Sequence, residues 1–167
     1  MTLTRTTGVG GSGGFIANNY SGNFTVTGAT NISNAELSQD FGATGYQRLS
    51  TPGALSISNS SGDFTFGDIT IGTQSGTPPA STVFTTGGAT VGINLAGNSG
   101  TFTSTGTVTI TDTVEDAIRI ADTSGAIAFN QVSIVNPRAD LYPFTGPAVA
   151  GTGREAHSAG VDISGTI

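Results

Sequence analysis

The sequence predicts an all-β fold, a parallel β-solenoid. Two observations carry that prediction: short apolar pairs at spacing two that recur along the chain, and the near absence of any helical period. A third supports it. Glycine, threonine, serine and asparagine fill the gaps between the pairs, as tight turns require. Five segments align, beginning at Gly14, Ala54, Gly92, Ala117 and Gly160. One position after each start stands an apolar residue: Phe15, Leu55, Ile93, Ile118 and Val161. Two further on come Ala17, Ile57, Leu95, Ile120 and Ile163.

The second strand of each unit follows a glycine, at Gly22, Gly62, Gly100 and Gly125. It opens with Phe24, Phe64, Phe102 and Ile127, and alternation continues through Val26, Phe66, Ser104 and Phe129. Because these four openers share one place in the repeat, they are expected to stack as an inward ladder. The third strand carries Ile32, Ile69/Ile71, Val108/Ile110 and Val132/Ile134. Three strands with their turns make one coil. A single coil can neither bury its inward side chains nor satisfy its backbone, and stacking does both, because equivalent strands pair in parallel about 4.8 Å apart. The segment Thr113 to Ile120 is the one place where a helix competes. There Ala117-Ile118-Arg119-Ile120 matches the first-strand template, which favours strand.

The shortest start-to-start interval, Gly92 to Ala117, is 25 residues, while the other three are close to 40. The excess always follows the third strand, at Asn34 to Gly53, Gly72 to Val91 and Asn136 to Ala159. These insertions are rich in Gly, Pro, Ser and Thr, as surface loops are. Their shared place in the repeat puts all three on one edge of the stack, and in repeat proteins such loops often form the binding face. Residues 1–13 read as a glycine-rich lead-in and residues 14–167 as a single β-helix domain. The chain stops one strand into a fifth coil, with no polar cap at either end. The expectation is a portion of a longer helix, or a unit covered by another copy of itself. Either way, the isolated chain should associate or be only marginally stable.

Two runs carry a family resemblance: Gly100-Thr101-Phe102-Thr103-Ser104-Thr105-Gly106-Thr107-Val108-Thr109-Ile110 and Gly62-Asp63-Phe64-Thr65-Phe66-Gly67-Asp68-Ile69-Thr70-Ile71. They resemble the repeats of large bacterial surface β-helix proteins, namely autotransporter passengers and filamentous-haemagglutinin-like adhesins, with the pectin-lyase-like fold. The resemblance covers Gly14 to Ile167. It implies a right-handed parallel β-helix of about four to five coils of three short strands, with long loops inserted after the third strand. The general preference for right-handed parallel crossovers agrees, and the hexapeptide rhythm of left-handed helices is missing from the sequence. The resemblance also implies a non-catalytic structural or adhesive module, bacterial and extracellular or displayed on the cell surface. The same fold serves polysaccharide lyases and hydrolases, so a polysaccharide-active enzyme, or a remnant of one, is the alternative. A subunit of an extracellular filament or layer is another.

Composition narrows the partners. Charged residues are 10% of the chain, against about a quarter in ordinary soluble domains. The net charge is −6 and lysine is absent, which argues against nucleic acid or an anionic membrane surface as partner. There is no apolar run of the roughly 20 residues that a membrane span needs. With no cysteine, disulfides, thiolate metal sites and cysteine nucleophiles all drop out. The expected partners are other copies of the chain or adjoining β-helix coils, together with polysaccharide or a host or neighbouring surface.

Few residues suggest chemistry, and none is read as catalytic. Asp112, Glu115, Asp116 and Asp122 form the densest acidic group. They lie on the shortest connection between coils, where carboxylates could converge on calcium. A solvated acidic edge is the plainer reading, and no cofactor is expected otherwise. Tyr46, Arg48, Tyr142 and Phe144 stand out in the long insertions. Aromatics and arginines of this kind favour sugar and protein contacts, while anchoring of the loop to the coil is the competing reading. Arg119 and Asp162 share the outward second position of the first strand, in the column Ile16, Ser56, Asn94, Arg119, Asp162. One arginine beside one aspartate makes a salt bridge between coils more readily than the several carboxylates that β-helix hydrolases use. Gly8-Val9-Gly10-Gly11-Ser12-Gly13 spells a dinucleotide fingerprint but lacks the strand before it and the helix after it. His157, the sole histidine, sits in a glycine-rich insertion with no partner at recognisable spacing.

Overall fold

The computed structural model of the chain describes residues 2–4, 14–33, 53–72, 91–111, 113, 116–135 and 160–165. Among these residues every regular element is a β-strand. The strands are β1 (Thr2–Thr4), β2 (Phe15–Asn18), β3 (Phe24–Val26), β4 (Thr30–Ser33), β5 (Leu55–Ser58) and β6 (Phe64–Phe66). They continue with β7 (Ile69–Gly72), β8 (Ile93–Ala96), β9 (Phe102–Thr111), β10 (Ile118–Ala121), β11 (Ile127–Val135) and β12 (Val161–Ser164).

All the pairings are parallel, and they build two sheets. One runs in the order β12-β10-β8-β5-β2. It collects the first strand of each sequence repeat in chain order, in the columns Phe15–Leu55–Ile93–Ile118–Val161 and Ala17–Ile57–Leu95–Ile120–Ile163. The other is seven-stranded and follows the order β1-β4-β7-β9-β6-β3, with β11 against β9. It aligns Phe24 with Phe64, Phe64 with Phe102, and Phe102 with Ile127. It also aligns Ile32, Ile71, Ile110 and Ile134. Parallel strands need long connections between them, and here each connection is the remainder of a repeat.

The apolar positions of the two sheets meet in a single cluster. Leu55, Ile57, Phe66, Ile69, Ile71, Ile93, Leu95, Val108, Ile110 and Ile118 are all buried. Each such side chain contributes about 1.5–3 kcal/mol by leaving water. Exposed ion pairs contribute about 0–1 kcal/mol, so these ladders, not charge pairing, hold the sheets together. The aromatic column packs ring to ring. Phe24 and Phe64 lie 6.1 Å apart, Phe66 and Phe102 5.8 Å, and Phe102 and Phe129 5.4 Å. Ser104 takes the place in this register that Phe66 holds one strand earlier. Its buried hydroxyl donates to the Gly67 carbonyl at 3.1 Å, which removes the cost of a polar group at an inward site.

Two features depart from the sequence reading. In the two repeats joined by the shortest connection, the second and third strands fuse into the long strands β9 and β11. The register shifts between Phe129 and Gln131, which absorbs the bend that a turn makes in the other repeats. In addition, Thr2–Thr4, within the residues read as a lead-in, forms a strand that pairs with β4. The three long insertions lie almost entirely outside the described residues.

Candidate functional site

The most organised polar feature is a corner that follows the first strand of every repeat. The residue after each such strand has positive φ: Asn19 (55°), Asn59 (50°), Gly97 (65°), Asp122 (48°) and Gly165 (80°). Only glycine, asparagine and aspartate enter this left-handed region at low cost, and the five positions use only these three. In the three middle repeats the next residue is polar and points inward, whereas Tyr20, its equivalent in the first, is exposed. Ser60, Asn98 and Thr123 are all buried. Each accepts the backbone N–H of its equivalent one repeat earlier. Tyr20 N–H donates to Ser60 Oγ at 3.1 Å, Ser60 N–H to Asn98 Oδ1 at 3.0 Å, and Asn98 N–H to Thr123 Oγ1 at 3.4 Å. Asn98 Nδ2 also donates to the Ile57 carbonyl at 2.9 Å, so one side chain ties down two groups of the preceding repeat.

Beside this ladder runs a column of glycines, Gly22, Gly62, Gly100 and Gly125. A Cβ on Gly62, Gly100 or Gly125 would collide with the carbonyl of the glycine before it. The repeat keeps glycine there because backbone passes against backbone, with no space for a methyl group. Paired N–H groups fix the approach: Ser99 and Gly100 both donate to the Ser60 carbonyl, and Ser124 and Gly125 both donate to the Asn98 carbonyl. Around the same corner, Ile57, Phe64, Leu95, Asn98, Phe102, Thr123 and Ile127 line a space with room for about one water molecule. No substrate fits such a space.

Two carboxylates extend the ties between repeats. Asp63 Oδ1 accepts the N–H of Thr101 at 2.9 Å and its hydroxyl at 2.8 Å. The Thr101 N–H, and then its hydroxyl, hold the Asp63 carboxyl below the usual carboxylate range, against a small opposing effect of burial. Asp68 Oδ1 accepts the N–H of Thr107 at 2.8 Å.

Of the four acidic residues read as calcium candidates, Asp112 and Glu115 lie outside the described residues. Asp116 and Asp122 are described, and each has a different role. Asp116 is buried and takes both Nε (2.9 Å) and a terminal nitrogen (2.7 Å) of Arg119 on its Oδ2. Asp122 occupies the left-handed corner position, and its carboxylate fills the space above Gly165. No group of three or more His, Asp or Glu side chains suited to a metal ion occurs among the described residues.

The outward column has the register Ile16–Ser56–Asn94–Arg119–Asp162. Arg119 therefore stands directly beside Asp162 on the neighbouring strand, while Asp116, on the connection just before its repeat, offsets its charge. Asn94 Nδ2 donates to Ser56 Oγ at 3.3 Å, linking the next pair of the column. The loop candidates Tyr46, Arg48, Tyr142 and Phe144 lie outside the described residues, as do His157 and the Gly8–Gly13 run. No helix among the described residues is long and apolar enough to cross a membrane.

The corner ladder escaped the sequence reading, although a signal for it was present. The fifth residue after each start is Asn, Asn, Gly, Asp and Gly, a set defined by its tolerance of positive φ. That Ser60, Asn98 and Thr123 turn inward had no such signal, because buried and solvated turn residues share one composition. Comparison with known proteins returned no matching family model, no matching curated protein and no matching solved structure.

Proposed function

We propose that this chain is a non-catalytic structural or adhesive module of an extracellular or cell-surface bacterial protein. In this reading it is a right-handed parallel β-helix of about four to five coils of three short strands, whose long loops after the third strand are presented from one edge. The observation that carries the reading is the register. Equivalent positions of consecutive repeats stand opposite one another along every strand of both sheets, and the one-residue shifts fall between the second and third strands. A stack held by ladders of isoleucine, phenylalanine and corner amides is stiff, and stiffness is what a display shaft needs. The hydroxyl-rich, lysine-free, cysteine-free composition suits an exported protein.

Tyr46, Arg48, Tyr142 and Phe144 are the residues of this reading that would meet a polysaccharide or a neighbouring surface. Replacing all four by alanine should abolish retention of the protein on insoluble polysaccharide or on cells while leaving its melting transition unchanged. Retention equal to that of the parent would contradict the assignment of these loops. The enzyme alternative is separated by incubation with uronate polymers. The proposal expects no unsaturated ends and no new reducing sugars; release of either would replace it with a polysaccharide-active β-helix enzyme centred on Arg119 and Asp162.

A second reading, assembly by stacking with further coils or with copies of the chain, is favoured by the edge strand β12. Val161 and Ile163 continue the inward apolar columns of the first sheet and are 48% and 54% exposed. Equivalent residues two strands away, Ile93 and Leu95, are at most 1% exposed.

A further inference from the structure

We draw no further inference here: the strongest candidate, the two ranks of threonine hydroxyls on the outer face of the seven-stranded sheet (Thr25, Thr65 and Thr103; Thr70 and Thr109), is a periodic stripe of small side chains, and nothing else in the structure points to a ligand for it.

Discussion

Asn98 shows how much a single side chain contributes to a stack of this kind. Its amide satisfies the Ser60 N–H and the Ile57 carbonyl, both on the preceding repeat. Asn98→Ala leaves the buried Ser60 N–H without its acceptor, at a cost of about 1–3 kcal/mol. A fall in the denaturant midpoint of that order is expected, and an unchanged midpoint would remove Asn98 from the account. Thr30 is the converse case. It is fully buried, its Oγ1 has no hydrogen-bond partner, and it aligns with Ile69 and, beyond it, Val108. Thr30→Val keeps the shape and removes an unsatisfied hydroxyl, so it should raise stability by about 1 kcal/mol or more. Asp63 supplies a pH dependence. Its folded pKa is depressed, so its contribution is present above the unfolded value of about 3.9 and is lost as pH falls through the folded value. Asp63→Asn keeps an acceptor oxygen but cannot titrate. The melting-temperature gap between parent and variant should therefore be present at neutral pH and close in acid below about pH 4. A gap that stays constant with pH would contradict the role given to its charge.

At the scale of the strand, the cost of a core substitution depends on where in the column it falls. Phe64 and Phe102 are 2% and 3% exposed, whereas Phe24 and Ile127, in the same column, are only partly buried. Phe64→Ala should cost about 3–5 kcal/mol, and Phe24→Ala clearly less; equal losses measured by denaturant unfolding would show that the column is not graded in this way. Strand composition was legible in the sequence because the side-chain period of a strand is two and each repeat supplies the same period at the same offset. The column from Phe24 to Ile127 could be written down for that reason. Two things were not legible. The fusion of strands into β9 and β11 is accompanied by a register shift, in which Thr105 and Gly106 of β9 face the single Asn130 of β11, and nothing local distinguishes that segment from a turn. The Arg119–Asp116 pair was hidden as well. Both Asp116 and Asp162 were within plausible reach, and only the path of the connection brings the former's Oδ2 onto the guanidinium.

On the scale of the whole molecule, the composition and the repeat indicate architecture far more than task. A β-solenoid reading follows from periodicity, but a ligand is chosen by loop side chains, whose spacing carries no comparable rule. Besides the parallel strand pairing, the repeats tie to one another through apolar columns, the corner amide ladder, the close-packed glycines and the Asp63 and Asp68 carboxylates. The exposed edge at Val161 and Ile163 makes association the expected behaviour of the purified 167-residue chain at micromolar concentration. Val161→Thr with Ile163→Thr should reduce that association in sedimentation, and association unaltered by the pair would place the contact elsewhere.

The central claim is the in-register parallel stack, and engineered cysteines test it in a chain that has none of its own. Thr25, Thr65 and Thr103 occupy one outward column on three successive strands. Adjacent strands lie about 4.8 Å apart, within the roughly 4.4–6.8 Å that a disulfide spans between Cα atoms. Strands two apart lie about 9.6 Å from each other, beyond that range. Under mild oxidation, Thr25→Cys with Thr65→Cys, and Thr65→Cys with Thr103→Cys, should each close an intramolecular disulfide, read as the loss of two hydrogen atoms by mass and of free thiol. Thr25→Cys with Thr103→Cys should remain reduced. Closure of this last pair, or failure of both adjacent pairs, would contradict the register on which the account rests.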